Sequence, residues 1–586
     1  MIDGEAARAR LGRLGLPAPL TELAARSWDA IVVGGGHNGL TAAAYLARAG
    51  HRVLVLERRE QIGGACTLEQ PFADPDWLVS PCAYLVGLLH PLVVHELDLA
   101  RHGYRVQRAD PHLWCPFEDG TSIALWDDRE RSAAAVAALS PADVDGYLAY
   151  SDLFTRIRRA LRDRQPERDT WLGDAPARDE IEARLGHDRE AIDALFHASI
   201  ADVVEHHVRD ERLRTALHGQ GIIGTCAGPR DAGTAGIHAH HSLGILDGME
   251  GGWGFVDGGM GRVSFALADA AREAGALIAT GVPVAAIVPG EGVALEGGER
   301  LRAAAVISNA DPKRTLALCM ASAAGSGGMA SAAGSGGMAS AAGSGGMASA
   351  AGSGGMASAA GSGGMASAAG SDGVPDEFRA RVDAWRTDSP VLKVNCGLSR
   401  LPRFTARSDD AVPHRAMVTI STSVDDTQAA CEASRQGQPA PAWCELYFQS
   451  AYDSSIAPAG KHTMSVFAQY VPYTLADGSW DDRREEIGDR VLATIARFAP
   501  DVADVVEARE VLGPPDIEAR IGLTGGHIFQ GDCLPDQMWA HRFPPRTPVP
   551  GLYLCGAATH PGGSVIAANG RNAAMAVLAD LAAARR

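Results

Sequence analysis

Three glycines near the amino terminus have the spacing of a dinucleotide-binding turn. Gly34, Gly36 and Gly39 fit the pattern G-x-G-x-x-G, which here follows an apolar strand and opens a helix. In this pattern the first glycine permits a tight turn, the second lets the backbone approach a pyrophosphate, and the third lets helix and strand pack closely. Glu57 ends the next predicted strand, where a carboxylate accepts hydrogen bonds from a ribose and disfavours a 2′-phosphate. The segment therefore predicts binding of FAD or NAD.

Two further glycine-rich segments favour FAD over NAD. Gly63 and Gly64 form a second glycine pair that lets the chain pass close to a cofactor. The strand-to-loop turn at Gly556 precedes Asn569, which lies near the start of the last predicted helix. A helix N-terminus aimed at a flavin would stabilise the anionic reduced ring, and NAD needs no such second site. The sequence contains no second G-x-G-x-x-G, so we predict no dedicated nicotinamide domain.

Lys393 is a candidate catalytic residue. It lies in an apolar run that predicts a strand, and it is one of only three lysines among 53 basic residues. Because burial of an ammonium group is costly, one hypothesis directs its side chain into a substrate cavity beside the flavin. The alternative is an edge strand from which Lys393 reaches water.

The histidines offer weaker candidates. His560 lies in the same turn as Gly556, where it would contact the flavin or, equally, stabilise the turn through a hydrogen bond. His238, His240 and His241 form an H-x-H-H cluster, and on a strand the first two would share a face and could ligate a metal. No third ligand is evident from the spacing, so we predict no metal site and favour a substrate-pocket or packing role.

The strands that would position these residues fall into two groups, which we assign to two separate sheets. Predicted strands at 29–33, 52–56, 284–288, 303–307 and 552–555 belong to an α/β part, with helices at 40–48, 263–274 and about 570–584. Predicted strands at 391–397, 416–421, 444–448 and 463–470 form a separate sheet. A helical region opens at Ser140-Pro141, with Ser140 as N-cap, and continues to about Leu217.

We therefore predict an α/β fold with an α+β substrate part, in which a discontinuous Rossmann-type FAD-binding domain joins an amine-oxidase-like substrate domain. The predicted FAD-binding domain comprises 28–115, 245–315 and 510–586, and the predicted substrate domain comprises 116–244 and 374–509. Residues 1–27 form an N-terminal extension. Residues 320–373 hold six tandem nonamers, five of them MASAAGSGG, and predict a flexible insert because they contain no aromatic or β-branched residue to bury.

Composition excludes several classes of protein. A net charge of −18 argues against a nucleic-acid partner, which requires clustered basic charge. No apolar run reaches about 18 residues, so no transmembrane helix is predicted. Ten scattered cysteines without a C-x-x-C pair are typical of a reducing cytoplasm. We expect a cytoplasmic protein, the alternative being one that binds peripherally to a membrane, and the sequence leaves its oligomeric state open.

Motifs at both ends of the chain resemble the signatures of phytoene-desaturase-like flavoproteins, closest to the branch of pyridine nucleotide-disulfide oxidoreductase domain-containing protein 2. They read VVGGGHNGLTAAAYLARAGHRVLVLERREQIGGA and GLYLCGAATHPGGSVIAANGRNAA, and interior matches include GGWGFVDGGMGRV, VISNADPKRT and GLTGGHIFQGD. The resemblance covers nearly the whole chain except the repeats and the first 27 residues. It implies a non-covalent FAD, a two-domain fold like that of the amine oxidases, and dehydrogenation or isomerisation of an apolar substrate.

The resemblance also implies particular site residues. The family's FAD contacts would correspond to Gly34, Gly36, Asn38, Gly39, Glu57, Gly63, Gly64, Val284, Gly556 and Asn569, with Val284 holding the adenine through its backbone. By analogy with amine oxidases, Lys393 would orient a water at flavin N5 or offset charge on the reduced ring. The chain departs from the family at Ala65, Ala558 and Gln530, where relatives have Arg, Gly and His respectively. The last departure puts in doubt an acid–base role at that position.

The resulting prediction is an FAD-dependent oxidoreductase that removes hydride from a C–H bond of an apolar, carotenoid- or lipid-like molecule. Its flavin would be reoxidised by oxygen, a quinone or another diffusible acceptor. Three alternatives remain at this point: a redox-neutral isomerase that uses reduced flavin transiently, a nicotinamide-only dehydrogenase, and a non-catalytic protein that keeps FAD for stability.

Overall fold

The computed structural model describes residues 10–325, 373–407 and 411–586. Its strands are β1 Ser27–Val33, β2 Val53–Glu57, β3 Val106–Arg108, β4 Leu113–Pro116, β5 Ser122–Leu125, β6 Ile245–Leu246, β7 Met249–Glu250, β8 Gly254–Val256, β9 Leu277–Thr280, β10 Val284–Val288, β11 Gly292–Leu295, β12 Arg300–Ser308, β13 Leu392–Leu398, β14 Val418–Ile420, β15 Trp443–Tyr447, β16 His462–Gln469, β17 Val506–Leu512 and β18 Leu552–Leu554.

The helices have the following bounds: α1 Leu20–Ala25, α2 His37–Arg48, α3 Pro91–Glu96, α4 Arg129–Leu139, α5 Val144–Leu161, α6 Arg178–Arg184, α7 Arg189–Phe196, α8 Ile200–His207, α9 Glu211–Leu217, α10 Thr234–Ser242, α11 Gly261–Glu273, α12 Pro312–Gly325, α13 Asp376–Asp383, α14 Val412–Arg415, α15 Val424–Arg435, α16 Trp480–Ala496, α17 Val502–Val505, α18 Pro514–Ile521 and α19 Ala568–Ala584.

The first sheet has the order β10-β11-β12-β1-β2-β9, and β18 also pairs with β12. Strands β12, β1, β2 and β9 run parallel, as does β18 beside β12, whereas β10, β11 and β12 form an antiparallel meander. The parallel strands are apolar along most of their length, because helices cover both faces of such a sheet. Strand β1, helix α2 and strand β2 form the predicted β-α-β start, and the last strand and helix of the chain return to the same sheet.

Helix α2 is buried along almost its whole length between α11 and α19. Its alanine-rich sequence permits this, since small side chains allow neighbouring helices to approach closely. The closest approach is at Gly570, where an added Cβ would lie 2.1 Å from the backbone oxygen of Asn38. The first turn of α19 is thus packed against the first turn of α2, at the carboxyl edge of the parallel strands.

The second sheet has the order β17-β13-β16-β15-β14-β4-β5 and is antiparallel except between β14 and β4. Strands β13, β15 and β16 are buried almost throughout, which explains their near-continuous apolar sequences. One face packs against α16, where it buries residues such as Val394, Val466 and Leu446. The opposite face carries Lys393, and β13 is an interior strand, so the edge-strand alternative for this lysine is wrong.

Helices α4–α10 form the layer beyond the second sheet. The prediction that Ser140 caps a long helix is wrong in detail: Pro141–Asp143 forms a single 3-10 turn, and α5 begins at Val144. The Ser140 hydroxyl donates to the Asp143 carboxylate at 2.8 Å. A charged acceptor forms the stronger hydrogen bond, so this hydroxyl is not used as a helix cap.

Two strands depart from the predicted domain boundaries. Strand β4 lies in the second sheet although the pattern placed 113–115 with the first, and β17 begins at Val506, before the predicted boundary at 510. Helix α12 extends to Gly325 and so includes the start of the first nonamer. The rest of the predicted repeat insert, from residue 326 to residue 372, lies outside the described residues. Within the described parts of the chain, no helix combines the length and apolar character that crossing a membrane requires.

Candidate functional site

A cleft lies at the carboxyl ends of the parallel strands β1, β2 and β12, where α/β sheets bind their ligands. It encloses about 1030 Å³, part of which is open to solvent. Seven of the predicted cofactor residues line it: Gly34, Gly36, Asn38, Glu57, Gly63, Gly64 and Val284. These residues come from four separate segments of the sequence, so the fold itself brings the predicted site together.

Glu57 is held in place by the backbone of the glycine turn. One carboxylate oxygen accepts the N–H of Gly35 at 2.7 Å, and the other accepts the N–H of Arg59 at 2.9 Å. Burial is the largest influence on Glu57 and raises its pKa, while both backbone hydrogen bonds favour the charged carboxylate. Each carboxylate oxygen has a second lone pair, so Glu57 can still accept hydrogen bonds from ribose hydroxyls in the cleft.

The glycine turn leaves the N-terminus of α2 uncapped. Gly36 precedes this helix and makes no side-chain capping bond, so the first N–H groups of α2 have no intrahelical partner. The side-chain oxygen of Asn38 is also buried without a partner. Gly34 has φ +100°, a conformation that only glycine adopts easily, and this directs the chain sharply from β1 into α2. The uncapped donors make the turn suitable for a pyrophosphate.

Three predicted contacts do not line the cleft but shape its walls. An added Cβ at Gly39 would lie 2.3 Å from the oxygen of Gly34, so this glycine permits the close contact of strand and helix. At Gly556 an added Cβ would lie 2.3 Å from the side-chain oxygen of Gln530. The Asn569 amide donates to the carbonyl oxygens of Thr559 and Gly562, both at 3.0 Å, and so fixes the carboxyl-terminal turn.

Asn309 and Arg314 line the same cleft and were not among the predicted site residues. Asn309 follows β12 directly, and its side chain lies against all three glycines of the first motif. The available signal was the segment VISNADPKRT, which places polar residues at the end of a buried strand, although nothing in it indicates that β12 pairs with β1. A buried nitrogen of the Arg314 guanidinium has no partner among the residues that the structure describes, which suits an anionic group in the cleft.

A second, apolar cavity adjoins the cleft. The two share the lining residues His37, Ala65, Ile528 and Ala557, so they lie next to each other. The apolar cavity encloses about 910 Å³, part of which is open to solvent. Its wall consists largely of Tyr84, Leu85, Ile223, Trp253, Met417, Phe467 and Phe529.

The apolar cavity contains the predicted catalytic lysine. Lys393 has only 1% of its surface exposed, and its Nζ donates to the Ser465 hydroxyl at 2.7 Å. The same nitrogen lies 4.0 Å from the centre of the Tyr84 ring. Among the described residues it forms no ion pair, and burial lowers the pKa of Lys393 to about 7. The amine is therefore partly neutral near neutral pH.

Glu445 faces the same cavity and was missed by the sequence analysis. Phe467 on β16 pairs with Lys393 on one side and with Glu445 on the other, so the three side chains form one row across the sheet. Gln220 donates to the Glu445 carboxyl at 2.7 Å, and the Tyr447 hydroxyl also bonds to it. Burial raises the pKa of Glu445 to about 7. An acid within the apolar strand WCELY was the available signal.

His560 lies outside both cavities. Its Nε2–H donates to the carbonyl oxygen of Thr170 at 2.6 Å, and burial lowers the pKa of His560 to about 4. This contact matches the turn-stabilising alternative, because it ties the carboxyl-terminal turn to the segment after α5. A direct role of His560 in catalysis stays a prediction.

The H-x-H-H cluster is on helix α10 and not on a strand. Residues two apart point to different sides of a helix: His238 stacks on Tyr150, and His240 lies beside Trp171. His241 faces the apolar cavity and a third cavity that adjoins it. His240 and His241 contact each other edge to face, with 5.7 Å between ring centres, and only His241 of the three lines the apolar cavity.

Comparison with known proteins gives the family. Residues 32–90 match the model of an NAD(P)-binding Rossmann-like domain. The chain is 32% identical over 595 residues to pyridine nucleotide-disulfide oxidoreductase domain-containing protein 2 of Rattus norvegicus, covering 94% of each protein. The chain belongs to this family.

Two further similarities are to a carotenoid-pathway desaturase in sequence and to an amine-oxidising enzyme in fold. The chain is 29% identical over 315 residues to hydroxyneurosporene desaturase of Cereibacter sphaeroides, which covers 50% of this chain and 57% of the desaturase. A redesigned putrescine oxidase has the same fold, with a TM-score of 0.54, 15% identity and coverage of 95% and 99% of the two chains. The protein is an FAD-dependent oxidoreductase with a Rossmann-type domain, as predicted.

The residues of the cleft fit FAD. The uncapped start of α2 and the unpartnered Arg314 nitrogen suit the pyrophosphate, Glu57 suits the adenosine ribose, and Val284 lines the same cleft. Ala65 and Ala557 stand where the cleft meets the apolar cavity, so the isoalloxazine end of the cofactor would face that cavity.

Proposed function

We propose that the protein oxidises an apolar small molecule by removing hydride from a C–H bond. The observation that carries the proposal is the junction of the cofactor cleft with a cavity walled mostly by aromatic and aliphatic side chains. Binding of an apolar molecule against an apolar wall removes apolar surface from water, which makes the binding free energy more favourable. The desaturase similarity supports a terpenoid- or carotenoid-like substrate.

Bound FAD supplies the hydride acceptor, which no amino-acid side chain can provide. The chain's own residues bind, orient and exclude water. Tyr84, Trp253 and Phe529 would pack on the substrate, and Lys393 would hold a proton or a water at the flavin end of the cavity. We further propose that oxygen or a quinone reoxidises the flavin, since no second dinucleotide motif offers a site for a nicotinamide.

The test is anaerobic bleaching of the flavin by a panel of terpenes, polyenes, fatty-acyl lipids and amines. Bleaching by an apolar compound and not by polar amines is the expected result. Recovery of colour on addition of oxygen or a quinone would then identify the acceptor. Turnover of substrate without acceptor consumption would instead indicate the redox-neutral isomerase.

A matched pair of variants tests the cavity. Met417 lines the apolar cavity, whereas Met575 is exposed on α19. Met417→Trp would fill the cavity, so we expect it to retain FAD and to lose bleaching, while Met575→Trp keeps both. Unchanged bleaching in Met417→Trp would show that the substrate binds elsewhere.

A further inference from the structure

The amine of Lys393 is placed as a nucleophile. Its only hydrogen bond among the described residues is the one to Ser465, which in turn donates to Asn395 at 3.1 Å. A neutral lysine amine carries a lone pair that reacts with carbonyl carbon, and desolvation in an apolar pocket is the usual way in which proteins keep such an amine neutral. The surrounding wall is apolar, so a carbonyl compound that reaches this amine must itself have an apolar body.

The carboxyl group of Glu445 is placed to complete the same chemistry. It lies two strands from Lys393, about 10 Å between backbones, with the flat ring of Phe467 between them. The two side chains thus reach into the cavity from opposite ends of one row. A carbonyl group lying over Phe467 would have the amine on one side and the carboxyl on the other.

We propose that Lys393 forms a reversible imine with an apolar aldehyde or ketone bound in this cavity, and that Glu445 supplies the proton with which the carbonyl oxygen leaves. The nitrogen lone pair attacks the carbonyl carbon and gives a carbinolamine. The Glu445 proton and the hydroxyl group then leave as water while the C=N bond forms. The products are a protonated imine, a Glu445 carboxylate and one water, and no electrons are gained or lost.

The proposal goes beyond the oxidation proposed above and does not depend on it. A protonated imine beside a carboxylate is an ion pair within an apolar wall, where a low dielectric strengthens the attraction between the charges. The protonated imine also draws electrons away from the carbon atom next to its C=N bond. An apolar aldehyde, which belongs to this class of ligand, is also the product when an apolar primary alcohol is oxidised.

The experiment uses the FAD-loaded protein, decanal as probe and cyanoborohydride to trap the imine as a stable secondary amine. The chain contains only Lys313, Lys393 and Lys461, so peptide mass mapping compares the site with two internal references. Lys461 is partly exposed and pairs with Glu507. Near neutral pH we expect decanal to modify Lys393 more than about tenfold faster than either reference, since an ordinary lysine titrates near about 10.4.

Glyceraldehyde serves as the matched polar probe. It reacts with exposed amines and should modify Lys393 no faster than Lys461, because it has no apolar body to bury against the mostly apolar wall. Modification of Lys461 by decanal with Lys393 untouched would overturn the proposal, as would equal modification of Lys393 by both aldehydes. Flavin absorbance recorded throughout keeps this result separate from the proposed oxidation, which can fail while trapping succeeds.

Two variants test the Lys393 amine and the Glu445 carboxyl group independently. Lys393→Arg keeps a positive charge but cannot form an imine, so the decanal adduct at this peptide should vanish. Glu445→Gln keeps the shape and removes the proton donor, so trapping at Lys393 should slow by more than about tenfold. An unchanged trapping rate in Glu445→Gln would remove Glu445 from the proposal. Other titratable groups also surround the amine, and their protonation can affect how the trapping rate depends on pH. They are Glu445, Cys82, Cys396, Tyr84, Tyr447, His37 and His241.

Discussion

Lys393 and Glu445 occupy one row of the second sheet, each paired with Phe467 between them. Both side chains are buried to 1% exposure and line the cavity that adjoins the cofactor cleft. Burial favours the neutral form of each: it lowers the pKa of Lys393 to about 7 and raises the pKa of Glu445 to about 7. An amine and a carboxyl that both exchange protons near neutral pH therefore share an otherwise apolar chamber.

Replacement of Lys393 tests its role at the flavin. Lys393→Met keeps the length of the side chain and removes the amine, so we expect normal FAD content. Reoxidation of the chemically reduced flavin by oxygen should slow by more than about tenfold, because the amine no longer holds a proton or a water at the junction. Rapid mixing of reduced enzyme with oxygenated buffer measures this without a substrate.

Lys461→Met is the matched control, since Lys461 is partly exposed and lies outside the cavities. It should reoxidise at the wild-type rate. Equal rates for Lys393→Met and Lys461→Met would leave Lys393 without a role at the flavin.

Gly36 tests the cofactor cleft. An added Cβ would lie 2.7 Å from the side-chain nitrogen of Asn309, and the branches of a valine would extend into the cleft. Gly36→Val should therefore yield colourless protein, as judged by flavin absorbance after purification. Ala49→Val, at the exposed end of α2, is the control and should remain yellow. A full complement of FAD in Gly36→Val would contradict the assigned cleft.

Local sequence patterns predicted the elements of this fold well. The predicted strands end within one or two residues of their observed bounds, except that 303–307 starts three residues after Arg300, the first residue of β12. These features depend on neighbours in the chain, which a sequence displays directly. The glycine-rich segments at the two ends of the chain also predicted the cofactor.

Pairing between distant strands could not be predicted in the same way. Lys393 was noticed because lysine is rare in this chain, but its cavity is formed by strands and helices from across the whole sequence. The sequence does not identify Glu445, because an acid in a short apolar strand indicates a site only when the residues beside it in the fold are known. His238 and His240 were considered as a strand pair, whereas α10 turns them to different sides.

The nonamer repeats provide a test of what the fold requires. Removal of 329–373 leaves the first nonamer, which begins inside α12, directly before the segment that leads into α13. Because the cost of closing a loop changes by only about 0.6 kcal/mol for each doubling of its length, we expect the free energy of unfolding to change by no more than about 2 kcal/mol. Thermal unfolding and flavin content measure the effect. Loss of bound flavin on deletion would show that the repeats contribute to the structure.

Glu445 also predicts a dependence of stability on pH. Its pKa is about 7 in the folded protein and about 4.3 in an unfolded chain. Between these values the folded state binds more protons than the unfolded state, so stability falls as pH rises through this window. Glu445→Gln removes the titration but keeps the shape. Relative to this variant, wild type should lose on the order of 2 kcal/mol between about pH 5 and pH 8.

Urea unfolding of both proteins across this window measures the difference. Lys393 titrates in both, so its contribution largely cancels from the comparison, apart from the influence that each group exerts on the other. Glu507→Gln is the control, because Glu507 is partly exposed beside Lys461 and should show no such loss. A constant difference between wild type and Glu445→Gln from about pH 5 to pH 8 would mean that Glu445 is already charged throughout. In that case it could not supply a proton to a ligand at neutral pH, and the imine chemistry at Lys393 would need another acid.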